Sequence, residues 1–203
     1  MTRDGLDDLL DKIERLLGPI RLPIPIQFHR TFEDRPFESC DFCGRALRES
    51  GTRYMIAKYY SAGELRQEVS LCADTLDALR KCYSEQSLKC MEGWYSPKLI
   101  SARKELARSL RGDLPQQLTE RCVFCSTPKS ELNEYFEYAQ CEGTELLCLT
   151  YPSMQCGGCT LKILNSLSVR TLEMRRRFFQ EHFGLPPNVN LGVWAEWELS
   201  ALG

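Results

Sequence analysis

The sequence predicts an α+β protein built from two tandem copies of one unit, a cysteine knuckle followed by a β-hairpin and a helix, with additional helices and terminal strands. Three observations predict it. Cys122-Val123-Phe124-Cys125 and Cys156-Gly157-Gly158-Cys159 are two Cys-x-x-Cys pairs separated by 30 residues. Cys40-Asp41-Phe42-Cys43 and Cys72 repeat that layout upstream, with 28 residues between Cys43 and Cys72. In each copy the intervening chain is a run of strand formers broken once by a Gly-containing turn.

Composition bounds the function. The 203 residues are 43% hydrophobic and 27% charged, the balance of an ordinary soluble globular chain. The net charge of -2 argues against a protein dedicated to coating nucleic acid. Eleven cysteines are many for this length. The start, Met1-Thr2-Arg3-Asp4-Gly5-Leu6-Asp7-Asp8, is acidic and has no apolar signal region, and no apolar run reaches membrane-spanning length. A reducing, cytoplasmic compartment with metal-held thiolates is therefore expected.

Taken in order, residues 4–17 predict an amphipathic helix, with Leu6, Leu9, Leu10, Ile13, Leu16 and Leu17 on one face and Gly18-Pro19 ending it. Residues 20–28 change to strand spacing, Ile20, Leu22, Ile24, Ile26 and Phe28 alternating with other residues. Pro23 and Pro25 remove donors from one side, which predicts an edge strand or extended arm. Segments 1–37, helix and arm, are the parts best suited to a partner or a second copy of the chain.

The first unit with its following helix spans 38–112. Arg53 to Tyr60 and Glu64 to Leu71 predict the hairpin, and a helix starts near Asp74. A further helix is capped by Ser96 and Pro97 and closed by Gly112. Residues 113–120 read as a linker. The second unit, 121–203, has strands over Tyr135–Cys141 and Glu145–Tyr151, a long helix from Thr160 to about His182, and an alternating tail from Val189 to Leu199. Phe42 matches Phe124, Glu64-Leu65 matches Glu145-Leu146, and Cys72 matches Cys156, which reads as an internal duplication.

Zinc takes four donors in a tetrahedron, and thiolates suit it. Cys122, Cys125, Cys156 and Cys159 supply a closed set. Cys141 and Cys148 are then core residues of the hairpin. In the first unit Cys40, Cys43 and Cys72 match, but Thr75 stands at the fourth position. Asp74, Cys82, Cys90 and His29 are the other donors within reach of consideration, and a metal-free copy held by its core is the alternative.

Knuckle, hairpin and a helix beginning at the second cysteine pair together resemble the treble-clef group of zinc fingers. The resemblance covers Arg121 to Leu167, with a weaker copy over Glu38 to Tyr83, and it implies a fold more than a function.

A four-cysteine set is closed, and neither His29 nor His182 lies near a knuckle, so catalysis is not expected. No phosphate-binding glycine loop and no nucleophile elbow occur, and no small-molecule substrate is evident. The leading expectation is a non-enzymatic, zinc-stabilised adaptor that binds another protein or itself. Two alternatives stand beside it. One is nucleic-acid binding through Arg170, Arg175, Arg176 and Arg177. The other is thiol oxidoreduction at Cys156 and Cys159.

Overall fold

The computed structural model describes residues 20–94, 114–148 and 152–183. The helices expected at 4–17 and 96–112 and the alternating tail from 189 lie outside the described residues. Among those described the protein is mixed helix and antiparallel sheet. The strands are β1 (Ile20–Pro23), β2 (Arg53–Ser61), β3 (Glu64–Cys72), β4 (Glu134–Glu142), β5 (Glu145–Cys148) and β6 (Ser153–Cys156). The helices are α1 (Ala73–Arg80), α2 (described over 85–94), α3 (Leu114–Leu118), α4 (Gly157–Ser166) and α5 (Val169–Phe183).

All six strands form one sheet in the order β1-β5-β4-β2-β3, with β6 also on β4. Its centre is the ladder between β2 and β4, which pairs all nine residues of each strand, from Arg53 opposite Glu142 to Ser61 opposite Glu134. Tyr54 to Lys58 and Tyr135 to Ala139 are buried without alternation, as expected for strands covered on both faces.

β2 and β4 are the first strands of the two hairpins, and Ala57 at the middle of one faces Tyr138 at the middle of the other. Such pairing relates the halves by an approximate twofold axis. The relation extends beyond the hairpins. Ser84 lies twelve residues after Cys72, and Ser168 lies twelve after Cys156. Each serine hydroxyl accepts from the backbone N–H three residues on, Ser87 N at 3.2 Å and Thr171 N at 3.2 Å, and so caps α2 and α5 respectively. The caps are also crossed. Ser84 N donates to Thr171 Oγ1 and Ser168 N donates to Ser87 Oγ, both at 2.9 Å. The Ser84 and Ser168 hydroxyls meet at 2.9 Å.

The same exchange governs packing. Trp94 of α2 meets the second knuckle edge-on at Phe124, 5.8 Å between ring centroids. Phe178 of α5 stacks on the first knuckle at Phe42, 4.9 Å apart and parallel to within 1°. Each half therefore lends its second helix to the other half's knuckle. Two core clusters result, one around Met55, Leu71 and Phe179, the other around Phe124, Met154 and Ile163.

Four expectations are corrected. The helix from Thr160 to His182 is two helices, because Leu167 is extended (φ -79°, ψ 150°) and Ser168 starts a new one. The arm keeps strand pairing only to Pro23, on β5, since Pro25 cannot donate, and Ile26–Phe28 forms a 3-10 turn that buries Phe28. Where a single returning strand is expected in the second hairpin, a further strand, β6, also pairs with β4, residues 149–151 between them lying outside the described residues. The expected linker contains α3, with Leu114 and Pro115 buried.

The arm is nevertheless tied down at the sheet edge. Lys58, 2% exposed, donates to the His29 carbonyl and to Thr31 Oγ1, and pairs with Glu68 at 3.3 Å. Glu68 accepts in turn from Thr31 N at 3.1 Å. Burial lowers the Lys58 pKa, and Glu68 opposes that shift.

Because the Ser168 hydroxyl caps α5 and also bonds the Ser84 and Ser87 hydroxyls, Ser168→Ala should cost about 1–2 kcal/mol of stability, the upper range for loss of one N-cap. Denaturant unfolding followed by circular dichroism would measure this.

Candidate metal centres

Two groups of thiols meet across the knuckles. Cys122, Cys125, Cys156 and Cys159 place their sulfurs within 4.8 Å of one another, and so do Cys40, Cys43 and Cys72. No described cysteine is in a disulfide.

The knuckles are built alike. The residue after the second cysteine is left-handed in both, Gly44 at φ 72° and Ser126 at φ 61°. Gly44 N donates to the Cys40 carbonyl at 2.9 Å, and Ser126 N to the Cys122 carbonyl at 2.8 Å. This sharp turn brings two sulfurs to one side. The sheet supplies the rest, since β3 ends at Cys72 and β6 ends at Cys156, each directly before a helix. Cys72 N points at Cys40 Sγ and Cys156 N at Cys122 Sγ, both at 3.4 Å. Gly157 lets β4 approach closely, because a Cβ there would stand 3.1 Å from the Glu134 Cβ, a tight contact.

In the second centre Cys159 N donates to Cys156 Sγ at 3.4 Å, inside the first turn of α4, where the helix dipole favours negative charge. Burial pushes the Cys122 thiol up to about 11, against donors from the backbone. Burial also raises Cys159, with the neighbouring thiols adding to it. Burial acts upward on Cys125 too, but hydrogen bonds from Thr127 and the other sulfurs outweigh it and bring that thiol down to about 6. Thr127 Oγ1 lies 3.1 Å from Cys125 Sγ, a supporting contact that no spacing rule pointed to. A tetrahedral zinc–thiolate site has sulfurs about 3.8 Å apart, and Cys125 and Cys156 stand at 3.7 Å. The donor set fits a thiophilic metal ion.

In the first centre Cys43 and Cys72 are 3.5 Å apart. The other donors considered are elsewhere. Asp74 is largely exposed and pairs with Arg45 at 2.6 Å. The His29 ring faces the Ile24 carbonyl at 3.3 Å. Cys82, just past α1, donates back to Ala78 O, and among the described residues neither it nor Cys90 joins the cluster. Cys141 and Cys148 are core, as expected, 0% and 1% exposed, and burial raises both thiols.

The arginines of α5 do not share a face. Arg170, Arg176 and Arg177 are exposed, whereas Arg175 is 1% exposed, its guanidinium over Tyr83 and Phe179 at 5.5 and 5.9 Å. The expected four-arginine patch is thus reduced to three. Among the described residues no helix is long and apolar enough to cross a membrane.

No family model matches the chain, and comparison with curated proteins and with solved structures gave no significant match.

Metal analysis of the purified chain should find one fewer ion in Cys156→Ala/Cys159→Ala than in wild type, with more than about 3 kcal/mol of stability lost. Acid should release the ion. Binding holds the thiolates below their metal-free values, so the stabilisation is present at neutral pH and lost as pH falls, more steeply below about 6, where metal-free Cys125 also binds a proton that competes with the ion. Metal release during acid titration would check the sign.

Proposed function

We propose that the protein is a non-enzymatic, zinc-stabilised interaction protein acting within a protein assembly, and that its two centres are treble-clef-like structural sites. The observation that carries this reading is the second centre's donor set. Four converging sulfurs fill every corner of a tetrahedron and leave none for a substrate or an activated water. An ion held so contributes folding energy rather than chemistry.

The arm supplies the contact surface. Phe32 is 92% exposed and Ile26 72%. Both sit on a segment fixed by the Arg30–Arg35 bridge and by Lys58 and Glu68. Large apolar side chains held rigidly in water suit a partner protein, since little entropy is lost when they dock. The nucleic-acid reading keeps only Arg170, Arg176 and Arg177. In the oxidoreductase reading Cys156 and Cys159 would cycle as a pair, but both also face Cys122 and Cys125.

Size measurement and affinity purification of the full chain test the proposal. The expected result is a stoichiometric complex, with another protein or between copies, that survives high salt and weakens at least about tenfold in Phe32→Asp while the melting temperature is unchanged. A lone monomer that shifts on nucleic acid in a salt-dependent way, and loses the shift in an Arg170/Arg176/Arg177→Ala variant, would replace it with the nucleic-acid reading. A zinc-free wild-type chain that reversibly forms a 156–159 disulfide would replace it with the redox reading.

A further inference from the structure

The twofold relation makes the first centre a copy of the second with one donor changed. Cys72 and Cys156 have nearly the same backbone, φ -71° and ψ 162° against φ -79° and ψ 152°, and each precedes a helix. Three residues on stand Thr75 and Cys159. Thr75 is 2% exposed, and its hydroxyl lies 3.5 Å from Cys40 Sγ and 3.4 Å from Cys72 Sγ.

Those distances identify the corner. In a tetrahedral zinc site with one oxygen donor, the edge from oxygen to sulfur is about 3.5 Å. The hydroxyl therefore already stands where a fourth donor belongs. We propose that Thr75 is the fourth donor of the first centre, making it a three-thiolate, one-hydroxyl zinc site whose ion exchanges, beside a closed four-thiolate site that retains its own.

The chemistry follows from the donor. A neutral hydroxyl is a weaker ligand for a borderline-soft ion than a thiolate. It leaves the complex with a net charge of one minus instead of two, and the ion with one anionic sulfur donor fewer. An incoming thiolate or chelator can displace the hydroxyl without first breaking a metal–sulfur bond. Access exists on one side: Cys40, Cys72 and Thr75 are buried, whereas Cys43 is exposed. The consequence is local and then long-range. Phe42 sits between the two knuckle cysteines and stacks on Phe178, so the state of this centre is felt by α5. Occupancy of the first centre thus makes that packing depend on available zinc.

This rests on the zinc reading of the second centre, and the test separates the two. Full-length wild type, Thr75→Cys, Thr75→Ser and Thr75→Val are loaded with zinc and titrated with a metallochromic chelator. The same proteins are loaded with cobalt(II) and their absorption spectra recorded. Wild type should bind two ions per chain and yield one to chelator at least about tenfold more readily than the other. Its cobalt spectrum should be the sum of a four-sulfur and a three-sulfur, one-oxygen chromophore. Thr75→Cys should remove the labile step and leave four-sulfur spectra only. Thr75→Ser should resemble wild type, and Thr75→Val should weaken the first site and alter its spectrum. A Thr75→Val spectrum identical to wild type would overturn the proposal, since another donor would then fill the corner. So would a single ion per wild-type chain, bound at the second centre. If neither centre takes metal, the zinc reading itself fails.

Discussion

The ladder between β2 and β4 is the constraint on which the rest depends. It joins the first strands of the two hairpins over their full length in antiparallel register, and that register fixes the twofold relation of the halves. Everything else is placed by it. β3 and the β5–β6 segment flank the central pair, the cysteines that end β3 and β6 come to opposite ends, and α2 and α5 cross to the other half. A slip of one residue would turn Tyr54, Ile56, Phe136 and Tyr138 to the wrong faces. It would also separate Tyr59 from Phe136 and Tyr60 from Tyr135, which stack across the ladder at 4.8 Å.

Two small units with one knuckle each bury little apolar surface alone. The exchange of helices is how this chain meets that limit. Phe178 and Phe179 complete the first core, and Trp94, Met91 and Leu88 complete the second. The crossed caps at Ser84 and Ser168 satisfy two helix starts with hydroxyls from each other's half, so the helices cannot be withdrawn without exposing unpaired backbone donors. The two cysteine clusters then lie at the ends of a structure that is already interlocked.

Much of this was legible in the sequence. The knuckles, both hairpin turns, the helix starts after Cys72 and the edge position of β1 follow from residue spacing and from turn and proline chemistry. The cysteine sets came together as the motifs require. Three things were not legible. Ser168 looks like any polar residue inside a helical run, and only its equivalence to Ser84, at the same distance from a knuckle cysteine, marks it as a cap. Arg175 reads as surface charge, yet it takes the place that Met91 holds in the other half, a buried site whose aromatic walls tolerate a guanidinium. Thr75 reads as a lost ligand, because spacing cannot reveal that its hydroxyl lies 3.5 and 3.4 Å from the Cys40 and Cys72 sulfurs.

The exchange of helices also has a meaning for biosynthesis. The ribosome delivers Cys40, Cys43 and Cys72 long before Phe178, and delivers Trp94 before the knuckle it will cover. Early in translation the first thiols are therefore without their lid, and that knuckle must wait uncovered until Phe178, well into the second half, has emerged. Gathering of the first thiols and closure of the core over them are separate events in time, with more than a hundred residues made between Cys72 and Phe178.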